Sequence, residues 1–276
     1  MAAKQDPARP VRTPFTREFL ALVRNARLRA LETLRPILKE RTIDVHEILR
    51  ILGFLNTAYI DIPGENLINR YIRQAFVTGI EDTHTELITQ QRPEKNPIKE
   101  PLVVSINFNQ YDQRAVDNLT GVSLSDLKGF TAEMSKKIVR DIVEADKKGA
   151  GITEFTKIIQ NHYTGIGASR AETIARTTTT QAYNEAAWSR AKEYAPYKMW
   201  IATLHSDRTR PSHLAMDGVI IPVDDAFQVP AFMGSKNSRV AACEMMYPGD
   251  SSFGAPAGQI INCRCSIGPK FLLKKK

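Results

Sequence analysis

Two cysteines and a histidine from distant stretches of this sequence are the side chains best suited to chemistry. Cys263 and Cys265 are separated by one residue, and His213 lies 50 positions before the first of them. If the cysteine segment is extended, both sulfurs face one way and Arg264 faces the other. Two thiolates and an imidazole are ligands that zinc binds. The pattern predicts a zinc site, or alternatively two small buried cysteines beside a histidine that hydrogen-bonds a loop.

A tetrahedral zinc site needs about four nitrogen or sulfur ligands, so a further ligand must come from elsewhere. We predict His205 for this position, and Cys243 and Asp207 are alternatives. The pair lacks the two-residue gap of a zinc knuckle, and with three cysteines in the chain there is no second pair. Zinc is therefore predicted from three residues, one His and two Cys, rather than from a complete motif, and no other cofactor is indicated.

A catalytic alternative uses some of the same residues. Asp207, His213, Asp217 and Cys263 could serve as base, orienting group and nucleophile, and a bound metal could make the site a hydrolase. The chain lacks the local signatures of known cysteine nucleophiles, and the polar residues near Asp207 also suit a tight turn. We therefore predict that the protein is not an enzyme.

The charge of the chain points to polyanions or acidic partners. The sequence has 276 residues with a formal net charge of +8, and residues 1–41 hold ten Lys or Arg against four acids. These charges either neutralise DNA phosphates without reading sequence, or solvate a helix or meet an acidic protein face. The candidate phosphate contacts are Arg9, Arg12, Arg17, Arg24, Arg27 and Arg35.

Composition also indicates in which cellular compartment the protein functions and whether it contacts a membrane. An odd, small number of cysteines favours a reducing compartment over a disulfide framework. The basic, polar start has no apolar region of a secretory signal, and no apolar run approaches a membrane span, so no membrane contact is expected.

Hydrophobic periodicity predicts a mainly α protein with a small C-terminal α+β lobe. Helices are predicted from Thr16 to about Lys39, after Asp44, and after Pro63-Gly64, and an apolar stripe ends at Gly149. The predicted divisions are a flexible basic arm (1–14), a helical domain (15–90), a linker (91–101), a domain over 102–270 whose part from 197 to 270 is β-rich, and a basic tail (271–276).

One helix and the strand after it position the candidate site. Ser169 and Glu172 match a capping box, so a helix should run from there to about Tyr194. Its Arg176, Thr180 and Asn184 are four apart and share a face that either holds the lobe or is solvated. Strand formers follow from Tyr197 to Leu204, with Trp200 as the expected core anchor. A further short strand is predicted from Gln259 to Ile267.

Six short motifs in this order resemble the phage head morphogenesis domain of the Mu F-like minor head proteins. The resemblance covers roughly residues 130 to 270. The motifs are Ile174-Ala175-Arg176-Thr177, Trp200, Asp207-Arg208-Thr209-Arg210 with His213, Asp217-Gly218, Pro248-Gly249-Asp250 and Asn262-Cys263-Arg264-Cys265.

The resemblance implies a structural minor capsid protein of a tailed phage, in the virion near the portal vertex and assembled in the bacterial cytoplasm. Its expected partners are the portal protein and a major capsid or scaffold protein, with non-specific contact to double-stranded DNA as a further expectation. Within that frame Arg176, Asn184, Trp200, Asp207, Arg210 and Asp217 are predicted to hold the lobe together or to contact a partner. A DNA-binding or DNA-ejection accessory is the alternative function, and a metal-dependent hydrolase is the second.

Overall fold

The computed structural model describes residues 6–39, 44–58, 67–90, 106–203, 209–234 and 238–271. The protein is mainly α with an α+β C-terminal lobe, as predicted. The helices are α1 Arg9–Ile37, α2 Val45–Ala58, α3 Leu67–Gln90, α4 Gln110–Lys147, α5 Ile152–Asn161, α6 Gly167–Tyr194, α7 Pro211–Leu214 and α8 Ala257–Ile260, with a π turn at His162–Ile166 between α5 and α6. None of the helices in these ranges is both long and apolar enough to cross a membrane.

Short strands complete the lobe. They are β1 Tyr197–Ile201, β2 Ile220–Pro222, β3 Phe227–Val229, β4 Phe232–Met233, β5 Arg239–Val240, β6 Cys243–Met245 and β7 Ser266–Lys270. β1 lies between β2 and β7 in an antiparallel sheet, with Trp200 opposite Ile267. The remaining strands form two antiparallel pairs, β3 with β6 and β4 with β5.

The chain forms two compact units, each assembled from separate stretches of sequence. The helical unit comprises residues 13–70 and 120–175, and the mixed unit comprises 1–12, 71–119 and 176–276. The predicted linker 91–101 lies outside the described residues and stays a prediction.

The core of the helical unit follows the apolar spacing of the sequence. Four helices contribute buried side chains, and Asp44 caps α2 by accepting the backbone N–H groups of His46 and Glu47. Gly149, with φ of 75°, ends α4 as predicted. The buried core includes Ala30, Leu34, Ile48, Leu52, Ile138, Ile142, Phe155 and Ile159.

The mixed unit is held by an apolar core and by buried polar contacts. Trp200, Phe227, Met245 and Ile267 lie in the core with both Cys263 and Cys265. On α6, Arg190 is buried and donates to Asp112 at 2.6 Å. Paired in this way, the Arg190 charge is compensated inside the unit.

The predicted flexible arm is wrong for residues 9–14, because α1 begins at Arg9 rather than near Thr16. Pro10 falls in the first turn, where its missing N–H costs nothing. The backbone of Arg9 donates to the Asp6 carbonyl, and the Arg12 guanidinium bonds the Asp6 carboxylate. Ala8 and Val11 are buried, so this segment packs rather than extends.

The predicted capping box at Ser169 is also wrong. The chain is already helical from Gly167, and the π turn at His162–Ile166 joins α6 directly to α5. The Ser169 carbonyl accepts the hydroxyl of Thr173, a contact within the helix. Because the preceding turn is helical, Ser169 does not stand at a helix start, where N–H groups need a cap. The predicted end of this helix at Tyr194 is confirmed.

Candidate metal centre

His213, Cys263 and Cys265 lie together in the interior of the mixed unit. Nδ1 of His213 is 3.5 Å from Sγ of Cys263 and 3.6 Å from Sγ of Cys265. The three ligating atoms all lie within 4.8 Å of one another. The side chains are 1%, 2% and 2% exposed. Residues from two distant stretches of sequence thus converge on one small volume.

The short helix α7 positions the histidine. Pro211 starts this helix, and the guanidinium of Arg210 bonds the carbonyl of Ile261. The hydroxyl of Ser212 contacts Oε1 of Gln259 at 3.0 Å. The residues that precede His213 in the chain are therefore tied to the segment that precedes the cysteines.

A turn, rather than the strand predicted from Gln259 to Ile267, positions the cysteines. The short helix α8 ends at Ile260, and β7 begins only at Ser266, so both cysteines lie between these two elements. Asn262 has a φ of 62°, a left-handed conformation that asparagine tolerates better than most residues and that a regular strand lacks. Both sulfurs nevertheless face His213. The prediction that the two thiols share one side therefore agrees with the structure, although the cysteines are not in the predicted strand.

One face of α6 holds this turn at three successive levels. Arg176 donates to the Asn262 side chain at 2.9 Å, and the hydroxyl of Thr180 donates to the carbonyl of Cys263 at 3.1 Å. Asn184 donates to the carbonyl of Cys265 at 2.9 Å and accepts the Ile267 N–H at 3.2 Å. Thr180 and Asn184 are 3% and 0% exposed, so at these positions the face is not solvated.

Trp200 packs against the imidazole of the centre. Its ring is fully buried and meets the rings of His213 and Phe227 edge-on, each at 5.2 Å between centroids. The neighbouring Thr203 hydroxyl donates to the carbonyl of Arg264, between the two cysteines, at 2.6 Å. Asp217 accepts the backbone N–H of Ala202 at 2.8 Å. Trp200 and Asp217 therefore fix the framework around the imidazole.

Gln259 and Thr203 are functional candidates that sequence reasoning missed. Gln259 is fully buried, and its amide nitrogen donates to the carbonyls of Pro230 and Ala241 at 3.0 and 3.1 Å. A glutamine followed by two isoleucines is the only sequence signal, since a polar residue in an apolar run must find partners if it is buried.

The other predicted ligands are His205, Asp207 and Cys243. His205 and Asp207 lie outside the described residues. Cys243 is on β6 and is not part of the cluster of ligating atoms. The structure thus brings together three of the candidate ligands.

The two thiols shift each other's pKa in opposite directions. A hydrogen bond from Cys263 lowers the pKa of Cys265, with a further contribution from His213. The same bond to Cys265, together with burial, raises the pKa of Cys263. Binding a metal cation would displace protons from the thiols, because thiolates are the ligating form.

The donor set fits zinc. Tetrahedral bond lengths of about 2.3 Å to sulfur and about 2.05 Å to nitrogen separate the two donor atoms by about 3.6 Å. The His213–Cys263 and His213–Cys265 distances of 3.5 and 3.6 Å match this separation. Nδ1 is the ring nitrogen that faces the two thiols, whereas Nε2 of His213 is buried and has no hydrogen-bond partner among the described residues.

The candidate DNA contacts occupy different environments along α1. Arg9, Arg17, Arg24 and Arg35 are exposed. Arg12 is paired with Asp6, and Arg27 donates to the hydroxyl of Thr164 at 3.0 Å. The four exposed arginines are therefore better placed than Arg12 or Arg27 to contact a polyanion.

Comparison with known proteins supports the resemblance that the six motifs indicate. Neither the curated proteins nor the solved structures gave a match. Residues 136–268 match the family model described as phage Mu protein F like protein, and this stretch contains every residue of the candidate metal centre. The stretch 136–268 is therefore a phage Mu F-like region, which indicates a phage head morphogenesis protein.

Proposed function

We propose that this chain is a structural minor capsid protein of a tailed phage that binds the portal vertex or the inner capsid during head assembly. The Mu F-like region supports the assignment to head morphogenesis. The buried His213, Cys263 and Cys265 support a structural rather than a catalytic role, because a substrate needs access to a reacting atom. The lobe acts as a rigid module that presents a fixed surface to its partner.

Zinc is the proposed stabilising element of this module. His213 supplies Nδ1, and Cys263 and Cys265 supply thiolates. The observation that carries this assignment is the pair of nitrogen–sulfur distances among fully buried side chains. A bound zinc would cross-link α7 to the turn before the last strand and add its binding free energy to folding.

Metal analysis of the purified protein tests the zinc assignment. We expect about one zinc per chain, loss of zinc in Cys263→Ser, and a lower melting temperature for that variant. Cys243→Ser is the matched control, because it removes the remaining thiol of the chain without touching the cluster. A metal-free wild type whose stability is unchanged by Cys263→Ser would refute the zinc assignment.

X-ray absorption then counts the ligands. We expect two sulfur atoms and at least one nitrogen around the metal. Loss of one imidazole's scattering in His205→Ala would assign His205 as the fourth ligand, and an unchanged spectrum would leave that place to another donor such as Asp207 or water.

Binding to the portal protein tests the capsid assignment independently of zinc. The chain and the portal protein of the same phage are expressed together, and we expect them to elute as one complex. The major capsid protein and the scaffold protein, each paired with the chain in the same way, are the comparison. Failure of all three to bind would contradict the proposed role even if zinc is present.

A further inference from the structure

A small cavity in the helical unit combines basic and apolar side chains. Its volume is about 200 Å³, and it is lined by Leu20, Val23, Arg24, Arg27, Tyr163 and Thr164. The four residues from α1 recur at threes and fours, so they form one face of that helix. The other two belong to the π turn. None of these lining residues is acidic.

The π turn explains why this face has a polar partner. A π turn inserts an extra residue into a helix, and such insertions are frequent at functional sites. Tyr163 is buried in the core of the unit, whereas Thr164 is exposed and accepts a hydrogen bond from Arg27 at 3.0 Å. His162 is fixed beside them by a contact of 2.7 Å between Nε2 and the Asp141 carboxylate. The π turn is therefore held to α1 through Thr164 and to α4 through His162.

The charge of the cavity is only partly used within the unit. Thr164 takes one N–H of the Arg27 guanidinium, and Nε of the same side chain is buried without a hydrogen-bond partner in the described part of the chain. Arg24 is exposed one helical turn away. Nε of Arg27 is buried away from solvent, so an anionic oxygen that enters the cavity would instead bond the exposed guanidinium of Arg24 and be attracted by the charge of Arg27.

We propose that this cavity binds an acidic side chain of a partner protein, flanked by an apolar residue. Arg24 and Arg27 receive the carboxylate, and Leu20, Val23 and Tyr163 receive the apolar neighbour. The apolar part of the lining favours a peptide over a DNA phosphate, because a phosphodiester chain offers no branched aliphatic group to fill it. The site is separate from the metal centre and does not depend on zinc.

Peptide binding to the full chain tests the proposal. The probe is acetyl-Leu-Glu-Leu-amide, followed by protein-observed NMR, and the matched neutral probe is acetyl-Leu-Gln-Leu-amide. We expect the acidic probe to shift the resonances of Val23, Arg27 and Thr164, and Arg24→Gln with Arg27→Gln to weaken its binding about tenfold. Arg35→Gln, an exposed arginine on the same helix outside the cavity, is expected to bind as the wild type does.

Two results would overturn the proposal. One is equal binding of the acidic and neutral probes, or no binding of either at millimolar concentration. The other is a double-stranded DNA oligomer that competes for the same resonances and binds more weakly to the double variant, which would assign the two arginines to phosphate. Melting curves of each variant check that the helical unit remains folded.

Discussion

At the scale of single residues, Asn184 is the side chain on which the candidate metal centre depends most. Its amide donates to the carbonyls of Pro248 and Cys265, both at 2.9 Å, and accepts the N–H of Ile267. One buried side chain therefore joins three points that are far from it in sequence.

Replacing Asn184 by alanine should destabilise the mixed unit strongly. Two carbonyls and one N–H would be deprived of this buried partner, which corresponds to a decrease of about 3 kcal/mol or more in the free energy of unfolding. Chemical denaturation measures this decrease. Gln228→Ala, which removes an exposed side-chain amide from β3, is the control and should change stability by less than about 0.5 kcal/mol. Equal effects of the two substitutions would contradict the assigned role.

Glu185, the next residue on α6, should make stability depend on pH. Burial raises the pKa of its carboxyl group to about 7, although a hydrogen bond from Tyr247 acts in the opposite direction and Asp250 adds to the rise. The folded state then binds more protons than the unfolded state between pH 4.5 and about 7, so this group's contribution to stability is lost as pH rises through that window.

Glu185→Gln removes this titration while keeping an acceptor for Tyr247. The variant should gain stability relative to the wild type as pH rises from about 4.5 to 8, by up to about 3 kcal/mol. Urea denaturation at the two pH values checks the change. Parallel stability curves for the two proteins would show that the carboxyl group titrates normally.

At the scale of elements, the close approach of α3 and α6 is set by a glycine. A Cβ added at Gly79 would lie 2.4 Å from the carbonyl oxygen of Tyr183 and 3.0 Å from Cβ of Ala186. Gly79→Ala should therefore force the helices apart and lower the free energy of unfolding by about 1 to 3 kcal/mol.

Gly121→Ala is the matched substitution within a helix. No atom of the described residues lies within 4 Å of the added Cβ at this position on α4, so the higher helix propensity of alanine should stabilise the protein by up to about 1 kcal/mol. Thermal melting of both variants compares the two. The same sign of effect at both positions would contradict the packing argument.

Local patterns predicted the long helices and the strand with Trp200 from apolar periodicity or from a cap, although the cap assigned to α6 at Ser169 was wrong. Asp44 and Gly149 are examples in which the side chain or the backbone conformation acts within a few residues. The π turn and the turn at Asn262 were missed because an inserted helical residue and a left-handed asparagine leave no periodic signal. The shared side of the two thiols was predicted correctly from spacing although the strand was not.

At the scale of the whole molecule, the basic charge on α1 can be tested without removing the helix. Deleting residues 1–41 would also remove Ala26, Ala30 and Leu34 from the core of the helical unit. Substitution of exposed arginines leaves that core intact. Arg17, Arg24 and Arg35 are suitable because all three are exposed.

Binding of these arginines to DNA phosphates predicts a defined salt dependence. Changing the three residues to glutamine should lower the slope of log affinity against log salt by about 0.9 for each phosphate that is no longer neutralised. A titration of a double-stranded DNA oligomer at several salt concentrations measures the slope. An unchanged slope would assign the charges to solvation or to an acidic protein surface.

The mixed unit also has a consequence for the order of events during synthesis. β1 pairs with β7, and Asn184 finds its partners between Pro248 and Ile267, so neither is complete until the last strand exists. During translation, the buried polar side chains of α6 lack their hydrogen-bond partners until about eighty further residues have been synthesised. Nascent chains stalled before β7 should expose this face to chaperones and proteases, and release of the final strand should end that exposure.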